Sequence, residues 1–158
     1  MSWQQEPLLG THISLVPLEE KHTDPLWAVA QDASIWRYMP FAASNYEEFL
    51  LYITSSIRQA ERGEAMPFVT QLANGELVGA TSFLAVNEYH RRLEIGGTWI
   101  TPEHQRSAVN TEAKLLQLSD AFERLKCNRV ELKTDSRNQR SRAAIARIGG
   151  IEEGTFRN

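Results

Sequence analysis

The stretch Trp99–Lys114, WITPEHQRSAVNTEAK, decides how this chain reads. An apolar strand ends at Trp99-Ile100, a proline turn follows at Thr101-Pro102, and the polar loop Gln105-Arg106-Ser107-Ala108 runs directly into a helix. The first amides of a helix lack intrahelical partners and sit at the positive end of its dipole, so they suit an anion. Small residues let such an anion approach, and Arg106 and Ser107 add a cation and a hydroxyl. The pattern predicts a phosphate-holding turn between a strand and a helix.

Upstream of this turn the periodicity alternates by two. Thr11–Pro17, Met66–Leu72, Leu77–Val86 and Arg92–Ile100 read as strands, and Asn74-Gly75 is a hairpin signal between the second and third. In the last strand Leu93, Ile95, Gly97 and Trp99 are expected on one face. Between the first two strands, Pro25–Asp32 reads as a short helix capped by Thr23 or Asp24. Asn45–Arg62 reads as a longer helix, its stripe formed by Phe49, Ile53, Ile57 and Ala60.

Downstream, Val109–Leu125 is expected to be helical with Leu115, Leu118, Phe122 and Leu125 on its apolar stripe. Asn128–Thr134 alternates as a strand, and a helix capped by Asp135 or Ser136 runs to Ile148 and stops at Gly149-Gly150. Ile151–Phe156 is expected to begin one more strand. The order implies an α/β fold: a meander followed by a crossover, forming one mixed, mostly antiparallel sheet flanked by about four helices.

Composition narrows the function classes. The chain has 158 residues, enough for one domain with its own core, and no repeat or linker divides it. A net charge of −3 argues against general nucleic-acid binding. The single cysteine, Cys127, excludes an internal disulfide, and His12, His22, His90 and His104 form neither a triad nor a metal pattern. No apolar run reaches the ~20 residues a bilayer requires, so a cytoplasmic, metal-free protein is expected.

The segments TWITPEHQRSAVNTEAKLL and NRVELKTDSRNQRSRAAIARIGGIEEGTFRN together resemble the GCN5-related N-acetyltransferases (GNAT), and more narrowly the RimJ/RimL branch. The resemblance implies acetyl-CoA as cofactor and acetyl transfer to an amine by direct attack in a ternary complex. It also implies a splayed strand pair at the centre of the sheet. The family's pyrophosphate loop is usually Q/R-x-x-G-x-G/A. Gln105 keeps the leading position, whereas Ala108 and Asn110 stand where glycines often do. The resemblance assigns the pyrophosphate to Gln105, Arg106, Ser107, Ala108, Val109, Asn110 and Thr111, and the pantetheine arm to the backbone of Trp99 and Ile100 and to Asn138.

Gly96-Gly97 fits a place where the central strand distorts and a ligand comes close; easing of the sheet twist is the alternative. Glu94, on the same strand, is the candidate general base, or else a solvent-facing strand carboxylate. Ser141 lies three residues after Asn138 on one helix face. It is the candidate proton donor to the leaving sulfur, or a small packing residue. Trp36, Tyr38, Met39 and Phe41 lie in an aromatic loop that the family uses to shape the acceptor site, with plugging of the core edge as the alternative.

The family fold usually closes with a hairpin beyond the strand at Ile151, and this chain stops at Asn158. A single domain, 1–158, truncated at its C-terminus is therefore expected, its open sheet edge suited to a second copy. Two other readings remain: an acyl-CoA-binding module of the same fold with weak or no catalysis, and an interaction domain that binds no cofactor. The acceptor is open between a protein N-terminus and a small amine.

Overall fold

The computed structural model describes residues 3–157. Its strands β1 (Leu8–Leu9), β2 (Ile13–Pro17), β3 (Met66–Leu72), β4 (Leu77–Asn87), β5 (Arg92–Ile100) and β6 (Arg129–Leu132) form one six-stranded sheet in chain order. All neighbours are antiparallel except β5 and β6, which run parallel. The meander needs only tight turns, such as Asn74-Gly75, where Gly75 has φ +91°. A parallel pair needs a crossover, and α4 (Ala108–Ser119) supplies it. The remaining helices are α1 (Thr23–Val29), α2 (Ala33–Trp36), α3 (Tyr46–Glu61) and α5 (Gln139–Arg147). The mixed, mostly antiparallel α/β sheet anticipated from the sequence is present.

Each face of the sheet buries its own core. Under α4 lie Ile13, Leu15, Phe68, Phe83, Leu93, Ile95, Val109 and Ala113. Under α1 to α3 lie Leu26, Trp36, Phe49, Ile53, Val69, Ala80 and Trp99. The α3 stripe begins as expected, with Phe49 and Ile53 fully buried.

Several sequence expectations are corrected. Leu93, Ile95 and Trp99 do not share a face: the first two belong to the α4 core and Trp99 to the opposite one. The reason is a bulge. Gly96 pairs with Ser82 and Trp99 with Ala80, so Gly97 and Thr98 together oppose Thr81, and the extra residue inverts the alternation. On α4 the inward face is Val109, Ala113, Lys114, Gln117 and then Ala121, whereas Leu115 and Phe122 are exposed. Of the expected stripe, Leu118 packs against the core and Leu125 is buried in it, so half of that face is turned inward and half outward. The helix ends in a wide turn at Asp120–Arg124, with Leu125 N–H donating to Asp120 O at 2.9 Å.

Capping differs as well. Helix α1 has no side-chain cap, and Asp32, expected at its end, caps α2 through Ser34 N–H. The α5 cap is Asn138, whose side chain accepts from Ser141 N–H, while Asp135 accepts from Arg137 N–H in the preceding turn. Residues 151–157 form no strand. Extended backbone becomes a strand only when paired, and this exposed segment is held instead by ion pairs of Glu152 with Arg142 and Glu153 with Arg129.

Candidate functional site

The site begins where β5 leaves β6. Their pairing runs from Arg92↔Arg129 to Ile95↔Leu132 and stops, while β5 continues to Ile100 against β4 alone. From Gly96 onward the β6-side edge of β5 carries backbone donors and acceptors with no strand opposite. Gly97, at φ +59°, turns the bulge that re-aims them. An unpaired, glycine-lined edge inside a sheet can take an extended amide-containing chain as a strand would. Gly96 is constrained too: a Cβ there would lie 2.9 Å from Leu84 Cδ1 and 3.1 Å from Glu94 Oε1.

The loop after β5 closes one end of this opening. Ser107 caps α4 by accepting from Val109 N–H at 3.3 Å, and its hydroxyl donates to His104 O at 2.5 Å. The left-handed backbone falls on Arg106, φ +60°, and not on Ala108, which begins the helix. Replacement of a family glycine by Ala108 therefore costs no backbone strain here. Gln105 spans the opening: its Nε2 donates to Ile100 O at 3.1 Å and its Oε1 accepts from Arg140 Nη1 at 2.5 Å. The loop, the end of β5 and α5 are thus brought together. Asn110 Oδ1 is buried with no hydrogen-bond partner.

Glu94 is mostly covered, its side chain 14% exposed, and Lys133 Nζ donates to its Oε2 at 2.5 Å. It stands beside Glu131 in the parallel register, and Arg92 and Arg129 neutralise that second carboxylate. Glu94 is accordingly a paired carboxylate, not a solvent-facing one. Asn138 and Ser141 meet as cap and capped residue at 3.1 Å, both half-buried.

The aromatic segment is corrected in part. Trp36 is not a loop residue but the end of α2, 7% exposed, with its Nε1–H donating to Ala30 O at 3.0 Å. It packs on Phe41, Phe49, Tyr52 and Trp99 at centroid separations of 5.5 to 6.3 Å. Phe41 stacks on Tyr52 at 4.6 Å. Trp36 is therefore a core residue and no exposed wall for an acceptor. Phe41 and Met39 lean on the same core, and half-buried Tyr38 carries Arg37 over its ring at 5.4 Å.

Sequence reasoning missed a buried polar cluster beneath the bulge. Lys114 Nζ donates to Thr98 Oγ1 at 2.9 Å and to Gln117 Oε1 at 3.3 Å. Thr81 Oγ1 lies 2.8 Å from Thr98 Oγ1 and donates to Gln117 Oε1 at 3.1 Å. Burial alone pushes the Lys114 ammonium down to about 7. The available signal was spacing: Asn110, Lys114 and Gln117 follow one another at helical steps beside Val109 and Ala113. Glu112 was also missed. It accepts from the amides of Thr11, His12 and Ile13 at 2.6, 2.8 and 3.0 Å, tying α4 to the β1–β2 turn. Cys127 is buried, and burial followed by the nearby Asp120 charge pushes its thiol up to about 11, which keeps it from acting as a nucleophile. Among the described residues no helix is long and apolar enough to cross a membrane.

Comparison with known proteins gives consistent likenesses. The family model described as an acetyltransferase (GNAT) domain matches residues 12–151. A Bacillus subtilis (strain 168) protein, provisionally named ribosomal N-acetyltransferase YdaF, is 37% identical over 87 residues, covering 55% of this chain and 47% of that protein. The match thus spans about half the length of that relative. A solved structure of a probable GNAT-family acetyltransferase from Chromobacterium violaceum ATCC 12472 superposes with a TM-score of 0.90 at 28% identity, covering 99% of this chain and 79% of that one. RimL, the ribosomal L7/L12 alpha-N-protein acetyltransferase, solved with coenzyme A, shares the fold at a TM-score of 0.83 and 21% identity, over 94% and 86% of the two chains.

Proposed function

Because this chain belongs to the acetyltransferase (GNAT) domain family, we propose that it is an N-acetyltransferase, moving the acetyl group of acetyl-CoA onto a primary amine. The observation that carries this reading is the parting of β5 from β6 after Ile95, opened by the bulge at Gly97–Thr98 beside the first amides of α4. The residues present suit the cofactor. A diphosphate finds the amides from Arg106 to Thr111 at the start of α4, with the Arg106 cation beside them. The edge of β5 at Trp99 and Ile100, which has no strand opposite and whose Ile100 carbonyl takes Gln105 Nε2, suits an amide-bearing pantetheine arm together with the Asn138 side chain. RimL's complex with coenzyme A lends support by analogy of fold.

Bound acetyl-CoA supplies an acetyl thioester. Glu94 accepts the proton of the attacking amine, whose ammonium replaces Lys133 on the carboxylate before it is deprotonated. Backbone N–H groups at the bulge stabilise negative charge on the reacting carbonyl oxygen. The Ser141 hydroxyl hydrogen-bonds the departing sulfur. Tyr38, Met39 and Phe41 border the acceptor side, with Trp36 supporting them from the core. The names of YdaF and RimL favour a protein N-terminus as acceptor over a small amine, and we place the reaction in the cytoplasm, where a lone reduced cysteine is stable.

Calorimetric titration with acetyl-CoA, followed by thiol release with N-terminal peptides and small amines, tests the reading. Saturable heat and amine-dependent thiol release are expected. Heat without release leaves a binding module, and no heat at millimolar acetyl-CoA overturns the assignment.

A further inference from the structure

We propose that Lys114 is a positioning residue that holds the Thr98 hydroxyl and thereby fixes the β5 bulge whose edge faces the acyl site. The proposal rests on the N-acetyltransferase reading for its kinetic consequence, but its structural content stands without it. Thr98 is one of the two residues that make the bulge, and its side chain points away from the open edge, down onto α4. There it meets an amine instead of the apolar side chain that would normally fill a sheet–helix interface.

A lysine is costly in such a place, and it has no carboxylate to pay for it. On its own helix, Glu112 is taken by the amides of Thr11, His12 and Ile13. Beyond the helix, Asp120 is paired with Arg124 at 2.5 Å. From β4 and β5 only the hydroxyls of Thr81 and Thr98 face it, and β1 and β2 contribute Leu8, Ile13 and Leu15 to that core. Glu94 lies one bulge away with its charge on Lys133.

The proton count explains what holds the cluster. Thr98 Oγ1 accepts from Lys114, so its own hydrogen goes to Thr81, and the Thr81 hydrogen goes to Gln117 Oε1. The chain of donors has one direction, and Lys114 is its origin. Two N–H bonds are made, which is the full donor capacity of a neutral amine. A third proton finds no acceptor in the cluster, where Gln117 Nε2 is already a buried donor without a partner. The lowered basicity of Lys114 agrees with this count. Losing the amine leaves Thr98 Oγ1 held by Thr81 alone, and the bulge loses its direct tether to α4.

The test uses three full-length variants: Lys114→Met, Thr98→Val and Thr98→Ser. First, amide resonances of Gly97 and Thr98 are followed against pH without ligand. In the wild type they are expected to titrate together with the Lys114 side chain, and in Lys114→Met and Thr98→Val that titration is absent. This readout survives even if the protein proves to transfer nothing. Second, with an accepted amine, Lys114→Met and Thr98→Val are expected to lower kcat about tenfold, leaving KM for acetyl-CoA within about twofold, while Thr98→Ser restores activity. If Lys114→Met fails to fold, Thr98→Val, which keeps the amine, carries both readouts. Amides of Gly97 and Thr98 that ignore Lys114, or a folded Lys114→Met and Thr98→Val pair with wild-type kcat, would overturn the proposal.

Discussion

Replacing Lys114 by methionine should change how the stability of this protein depends on pH. The lysine is buried under the sheet with two hydroxyl and amide partners and no counter-charge. Its ammonium is pushed from 10.5 down to about 7 by desolvation. Below about pH 7 both the native and the unfolded chain hold this proton, so stability is independent of it there. Between about pH 7 and 10.5 the unfolded chain binds a proton the native state has released, and unfolding free energy must rise with pH. The limiting slope is about 1.4 kcal/mol per pH unit, which would reach on the order of 5 kcal/mol across the whole window. Urea unfolding followed by circular dichroism, from about pH 6 to pH 10, measures it in wild type and Lys114→Met. Cys127 and Tyr52, whose pKa values burial also raises, titrate alike in both proteins and cancel in the difference. The wild-type advantage should grow by about 1 kcal/mol per pH unit between about pH 7 and 9. A flat difference would show that Nζ is solvated or charge-paired, and the reasoning about the cluster would fail.

Four further outcomes follow. Glu112→Ala should lower stability by about 2 kcal/mol in thermal or urea melts, since three backbone amides lose a charged acceptor. Burial opposes the Glu112 charge but those amides outweigh it and depress its pKa, so the contribution present at neutral pH should fade as pH falls below about 4.5. Gly97→Ala should cost about 1–2 kcal/mol because φ is +59°, and should cut acetyl transfer more than cofactor affinity; unchanged turnover would deny the bulge a role. Glu94→Gln should reduce kcat by about 10²–10⁴ with calorimetric acetyl-CoA affinity intact, and an unaltered pH profile would remove it as the base. Trp36→Ala should destabilise by about 3–5 kcal/mol, the cost of emptying the aromatic core, whatever its effect on the acceptor.

The bulge at Gly97–Thr98 shows where legibility ends. Two glycines announced a distortion, but nothing local says that one residue is inserted and that Trp99 therefore leaves the Leu93–Ile95 face. That outcome is set by pairing with β4, across the hairpin. The same holds for α4, where Leu115 and Phe122 carried the apolar signal and ended in solvent. Helical period was legible; which face meets the sheet depends on how closely the partner approaches. For Trp36 the sequence left open a binding-loop aromatic or a plug of the core edge, and the second holds because α2 turns it onto Phe49 and Trp99.

Local chemistry, then, was settled by the chain itself: strand and helix periods, the Asn74-Gly75 hairpin, and the run from β5 through a small polar loop into α4 all depend on neighbours within a few residues. Only folding decided what depends on residues far apart in the chain. The parting of β5 from β6, the Gln105–Arg140 bridge, the Glu94–Lys133 pair and the burial of Lys114 against Thr98 each join groups separated by 16 to 39 positions. Burial and charge pairing act through space, and one sequence read along its length holds no record of which distant groups will meet.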